Sequence, residues 1–189
     1  MGRGPAKKLA KRPRAAARGD QEEGDGKEVK EEEEDEALLF PVGAEVEVGS
    51  DDPGFVGSFY EGTVEAHLPG GDGYVVAYTT LEEGGAALRE EARARDGRPQ
   101  PPPVAGAPGA GGFAMHDMEE AFHNEGWWSG VVTGLPLPLD VLPVAPRRRV
   151  YTVAFPTSRE VMEFEEAALR PHRVFRRGSW VPAADVVIS

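Results

Sequence analysis

The sequence predicts an all-β fold built from two copies of one small β module, and three observations predict it. First, Ser58-Phe59-Tyr60-Glu61-Gly62-Thr63-Val64 is answered by Gly126-Trp127-Trp128-Ser129-Gly130-Val131-Val132, Tyr74-Val75-Val76-Ala77-Tyr78 by Tyr151-Thr152-Val153-Ala154-Phe155, and Arg98-Pro99 by Arg170-Pro171. Second, apolar residues alternate with period two inside both copies, the spacing of half-buried strands. Third, Pro99 to Gly112 holds five prolines and four glycines and cannot form a sheet interior. A module of about 60 residues rich in paired aromatics has too little interior for a buried active site but enough rim for a recognition surface.

Taken in chain order, residues 1–38 carry blocks of like charge and no aromatic residue, so they are expected to be a disordered charged arm. The first module is assigned to 39–98. Its strands are Ala44 to Val48, Ser58 to Ala66 and Gly73 to Thr79, with Pro69-Gly70-Gly71-Asp72-Gly73 as a hairpin turn. A phosphate-binding reading of that turn lacks the following helix and the Lys-Ser/Thr it needs. By propensity, residues 86–95 are a short helix. The repeat puts a strand at Leu88-Arg89-Glu90 ahead of Arg-Pro, and register takes precedence over propensity. The linker is assigned to 99–112 and the second module to 113–181, with strands Met118 to Phe122, Trp127 to Thr133, Val150 to Phe155 and Arg159 to Phe164. Glu119 falls where the first copy has Val46, which puts a charge at an inward position unless Met118 takes that place. Gly134 to Arg149, with four prolines and a closing Arg147-Arg148-Arg149, is an expected mobile insertion in a hairpin. Residues 182–189 are a C-terminal tail.

The formal charge of −12 is unevenly placed. Seven cations in residues 1–18 and a balance of −9 in residues 20–36 leave −10 for everything after residue 38. Such a body repels phosphate backbones and attracts basic peptides. The basic arm runs against this trend: Lys7, Lys8, Lys11, Arg12 and Arg14 form a candidate nuclear-import signal, or only a solvated terminus. Cysteine is absent, which excludes disulfides, thiolate zinc sites and a cysteine nucleophile. No stretch approaches the 18 or more apolar residues of a membrane helix and no secretory signal is present, so the expectation is an intracellular chain with no membrane partner.

Val46-Glu47-Val48 with Asp51-Asp52, Gly54 through Val64, the run Ala121-Phe122-His123-Asn124-Glu125-Gly126-Trp127-Trp128-Ser129-Gly130-Val131-Val132, and Leu169-Arg170-Pro171-His172 together resemble the tandem Agenet domains of plants, which are Tudor-like members of the Royal superfamily. The resemblance covers roughly residues 41–181. It implies two small, Tudor-like (SH3-like), strongly bent antiparallel barrels in tandem. It also implies a non-enzymatic chromatin protein of the nucleus that needs no cofactor and holds the methylated lysine of a histone H3 tail. Other chromatin proteins are further expected partners. By analogy with the family, the expected mark is the silencing-associated methyl-lysine at the ninth position of that tail.

A methylated ammonium keeps its charge, loses hydrogen-bond donors and gains apolar surface, so aromatic faces recognise it at about 0.5–2 kcal/mol per ring. Carried over position by position, the resemblance offers Phe55, Phe59 or Tyr60, and Tyr78 as the cage of the first module, with Asp51 or Asp52 as rim acid. In the second it offers Phe122, Trp127 or Trp128, and Phe155, with Asn124 and Glu125 nearby. Strand alternation sends Phe59 and Tyr60 to opposite faces, so one of each adjacent pair belongs to packing. Trp127 and Trp128 read as a packing pair between modules.

Two features depart from the family pattern: Phe59 stands where Trp is common, and Glu91, Ala92, Ala94 and Gly97 replace larger apolar residues. The first module is therefore expected to lean on the second for stability. Enzymatic readings find no support. Asp51 and Asp52 are adjacent on an extended chain and face apart, and His67, His116, His123 and His172 lack metal-ligand spacing and read as surface residues. The rival to a methyl-lysine reader is an RNA- or DNA-associated or protein–protein interaction scaffold, with the basic arm and Arg147-Arg148-Arg149 on phosphates. Steep salt dependence would mark it.

Overall fold

The structure is a computed structural model that describes residues 39–103, 112–137 and 148–183. The charged arm with Lys7, Lys8, Lys11, Arg12 and Arg14, residues 104–111 of the linker, residues 138–147 of the insertion and residues 184–189 lie outside the described residues.

The first module contains β1 (Glu45–Gly49), β2 (Ser58–His67), β3 (Gly73–Glu83), β4 (Ala86–Arg93) and β5 (Gly97–Pro99). The second contains β6 (Met118–His123), β7 (Gly126–Gly134), β8 (Val150–Phe155), β9 (Glu160–Glu165) and β10 (Leu169–Pro171), and a hairpin of β11 (Arg173–Arg176) and β12 (Ser179–Pro182) follows. Each module is a bent antiparallel sheet, ordered β4-β3-β2-β1-β5 in the first and β9-β8-β7-β6-β10 in the second. The hydrogen-bonded ladders do not close; single 3-10 turns, Ala94–Asp96 and Glu166–Ala168, carry the chain across each gap.

The repeat explains itself in this geometry. Tyr74 and Tyr151 sit fully buried at equivalent places, and their hydroxyls accept the backbone N–H of Phe40 at 3.0 Å and of Phe113 at 3.3 Å. Gly62 and Gly130 are required where the next strand of the same sheet crowds in: a Cβ would come within 2.6 Å of Val76 Cγ1 and 2.5 Å of Val153 Cγ1. A register shift bends each sheet at the same place, Val64/Ala66 in β2 and Val132/Gly134 in β7. In the first module Val46, Val48, Tyr60, Val64, Tyr74, Val76 and Tyr78 form the core; in the second, Ala121, Val132, Tyr151, Val153, Phe155, Phe164 and Leu169 do.

Residues 86–93 are strand, paired Val76↔Glu90 and Ala77↔Arg89, and the turn Gly84-Gly85 at φ +66° and +84° starts them. Cross-strand pairing overrides their helix propensity. Pro99 ends β5 opposite Val46, so the linker begins after it. Glu119, not Met118, occupies the inward place: Glu119 is 0% exposed and Met118 is 49% exposed.

The two modules share one sheet, because β2 pairs with β7 through Ser58↔Trp128 and Phe59↔Trp127. Phe59 and Trp127 are counterparts in the repeat, so each pairs with its own equivalent and a pseudo-twofold axis passes between them. Trp128 is packed against both cores. The hairpin β11–β12, absent from the sequence-based account, folds back onto the first module: Phe175 lies 6.3 Å from Phe40, and Arg98 Nη1 donates to the Arg173 carbonyl at 3.2 Å.

Candidate functional site

Alternation in β2 and β7 sends neighbouring rings to opposite faces of the shared sheet, and the two faces differ in chemistry. On one face lie Phe59 and Trp127, each beneath an arginine of its own module: the Arg98 guanidinium carbon is 3.3 Å from the Phe59 ring centroid, and that of Arg170 is 3.9 Å from the Trp127 ring. Both arginines grip both buried glutamates. Arg98 Nη2 donates to Glu47 Oε2 at 2.7 Å and Glu120 Oε1 at 2.8 Å, while Arg170 donates from Nη1 to Glu47 Oε1 and from Nε to Glu120 Oε2, each at 2.7 Å. His172 Nδ1 lies 2.9 Å from Glu120 Oε1, so this histidine is part of the inter-module cluster and not a surface residue. Every cation after residue 38 is an arginine, the side chain whose planar fork suits such bidentate pairs. Burial pushes the Glu120 carboxyl up, but the His172 hydrogen bond and the charges of Arg98 and Arg170 outweigh it and hold it at about 2.

As a unit, this cluster is not anticipated from the sequence. Its signal was present: a glutamate at one strand position in both copies, and an arginine before the same proline in both.

The opposite face gathers rings. Tyr60 is central: Phe55 lies at 6.4 Å and 60°, Tyr78 at 6.4 Å and 82°, and Trp128 at 6.4 Å and 81°. Phe55 also stacks on Trp128 at 6.5 Å and 29°. Tyr60 and Tyr78 come from the inward rows of β2 and β3 and are only 6% and 2% exposed, whereas Phe55 and Trp128 are half-buried. The rings converge, and little of Tyr60 or Tyr78 meets solvent.

Phe55 sits on the loop between β1 and β2, where Gly54 and Gly57 take φ of +90° and +83°. Its backbone is held from both sides. Its N–H donates to the Asp52 carbonyl at 2.9 Å, and its carbonyl accepts from Ser58 Oγ at 2.6 Å and Ser58 N at 2.9 Å. The loop is also tied to the second module by Ser129 N–H donating to the Gly57 carbonyl at 2.8 Å. Nearby, Thr80 Oγ1, two residues after Tyr78, donates to the Glu125 carbonyl at 2.6 Å. That bond brings the Asn124-Glu125 turn, both residues at positive φ, against the first module.

Of the residues singled out in the sequence, the structure brings together Phe55, Tyr60, Tyr78 and Trp128, and places Asp52 at the foot of the Phe55 loop. It sets Phe59 and Trp127 apart, against Arg98 and Arg170. Asp51 is exposed and pairs with Arg93 at 3.2 Å. Phe122 is an exposed ring against Trp127 at 5.1 Å, and Phe155 is buried against Phe164 at 5.8 Å. Among the described residues, the second module therefore gathers no ring cluster around Trp127 or Phe155 that matches the one at Tyr60.

Comparison with known proteins agrees with the paired modules. The sequence profile of the Agenet domain matches residues 43–102, the span from β1 to just beyond β5. The chain is 33% identical over 147 residues to Protein AGENET DOMAIN (AGD)-CONTAINING P1 of Arabidopsis thaliana, and 29% identical over 143 residues to DUF724 domain-containing protein 3 of the same plant. It spans 26% and 19% of the length of these two curated relatives. Among solved structures, AGD34 of Arabidopsis thaliana AGDP1 superposes with a TM-score of 0.63 at 32% identity, covering 76% of this chain and 90% of that one. Tandem Agenet domain 3-4 of ADCP1 gives 0.60 at 30% identity, covering 76% and 88%. Tandem Agenet domains are generally chromatin and protein-interaction modules, some of which bind histone tails, and the family is typically non-catalytic. With the repeat, the paired bent sheets and these likenesses in agreement, the chain belongs to the Agenet domain family.

Proposed function

We propose that this protein is a non-enzymatic nuclear reader that binds a methylated-lysine peptide of the histone H3 tail, with the silencing-associated methyl-lysine at the ninth position as its mark. The observation that carries the reading is the convergence of Phe55, Tyr60, Tyr78 and Trp128 on one face of the shared sheet. Aromatic faces are what a methylated ammonium needs, and the charge of −10 after residue 38 favours a basic tail. Because Tyr60 and Tyr78 are nearly sealed, binding requires the Phe55 ring to turn outward about its side-chain torsions while its pinned backbone stays in place. Asp52, at the foot of that loop, is the proposed rim acid.

Phe55→Ala is the appropriate test, since Tyr78→Ala would remove a core ring at a cost of about 3–5 kcal/mol. Titrating an H3 peptide with and without dimethyl-lysine at position nine should show tighter binding of the methylated form by the wild type. The variant should lose roughly 2- to 30-fold of that preference, the range for one ring. Equal binding of both peptides by the wild type would refute the reading.

A further inference from the structure

We propose that the methyl-ammonium site is composite, with Trp128 of the second module forming a wall beside Tyr60. This rests on the reader function proposed above and adds a specificity-determining residue to it. Trp128 is the repeat counterpart of Tyr60, so a site built within the second module would use it there. Instead its indole stands edge-on to Tyr60 and nearly parallel to Phe55, both of the first module.

Three constraints fix it in that place. Its backbone pairs with Ser58 in the strand contact that joins the modules. Its Nε1–H donates to the His123 carbonyl at 2.8 Å, which sets the ring orientation and leaves the indole faces without a polar task. Gly126, two residues earlier, leaves room for Tyr60 to approach, since a Cβ there would lie 2.7 Å from the Tyr60 ring. Trp128 packs against both cores, so the wall holds its position only while the modules are docked. Of the four rings, Phe55 and Trp128 are the two that solvent reaches. When Phe55 turns outward, the surface it uncovers is the indole face. Indole is the strongest of the side-chain rings for a cation, so a cage with this wall discriminates methylated from unmodified lysine better than the first module's rings alone.

The full chain labelled with 5-fluorotryptophan gives three fluorine resonances, from Trp127, Trp128 and Trp180, and Trp128→Phe assigns the one in question. On saturation with the H3 peptide dimethylated at lysine nine, the Trp128 resonance should move and that of Trp180 should stay; the unmodified peptide should move neither. In parallel, Trp128→Leu should cut the ratio of methylated to unmodified affinity roughly 3- to 30-fold, and Trp128→Phe should restore most of it. A static Trp128 resonance in the saturated complex overturns the proposal even if the leucine variant fails to fold. A ratio that falls in Phe55→Ala but not in a folded Trp128→Leu removes the composite wall and leaves the reader function standing. No methyl preference in the wild type removes both.

Discussion

Glu119 is a residue whose chemistry opposes its position. It fills the inward place that Val46 fills in the first module, and neither carboxylate oxygen has a hydrogen-bond partner among the described residues. Burial, with a smaller contribution from the charge of Asp117, pushes its carboxyl from the ordinary 4.5 up to about 7. The folded protein thus holds a proton that the unfolded chain has already released, and stability falls by roughly 3 kcal/mol as pH rises from 4.5 to 7, then levels off. Glu120 acts in the other direction: held at about 2, it contributes stability that is present above 4.5 and is lost as pH falls from there toward 2. These two groups place a stability maximum near pH 4.5. Glu119→Val should flatten the neutral limb and stabilise the protein at pH 7, as read from urea unfolding at several pH values; an unchanged limb would contradict the burial argument. The inward place of Glu119 was legible from the repeat. The roles of Phe59 and Trp127 were not, because nothing in a local pattern reveals that each ring lies under the arginine before a distant proline.

Among the elements, β2 and β7 do the joining, and the buried cluster on one face of their contact fastens it. Arg170→Ala would leave buried Glu47 with Arg98 alone and buried Glu120 with Arg98 and His172, a loss of about 3–5 kcal/mol. Arg170→Lys should recover only part of it, because an ammonium cannot span both carboxylates or lie flat on Trp127. Denaturant midpoints of the two variants check this; a lysine variant equal to the wild type would show that the fork geometry is immaterial. Strand identity was readable at this scale, including β4, where register outweighed helix propensity. The hairpin β11–β12 was not, since its strands of four residues carry a weak alternation and its place depends on Phe175 finding Phe40 in the other module.

At the scale of the whole molecule, the shared sheet, the charged cluster, Trp128 in both cores and the returning hairpin make the two modules one folding unit. Small, alanine-substituted core positions such as Ala92 and Ala94 give the first module little to stand on alone. Calorimetry of the chain should therefore show a single transition with equal calorimetric and van't Hoff enthalpies, and two separable transitions would contradict the coupling. Under the proposed function, one face of the shared sheet serves recognition while the other is occupied by the docking cluster. The most direct test of that division follows the ligand's own methyl groups. In an H3 peptide carrying carbon-13 dimethyl-lysine at position nine, those methyl resonances should move upfield on binding and show nuclear Overhauser contacts to Phe55, Tyr60, Tyr78 and Trp128. Methyl resonances that stay at their free position in a saturated complex, or that touch Phe122 and Trp127 instead, would contradict it.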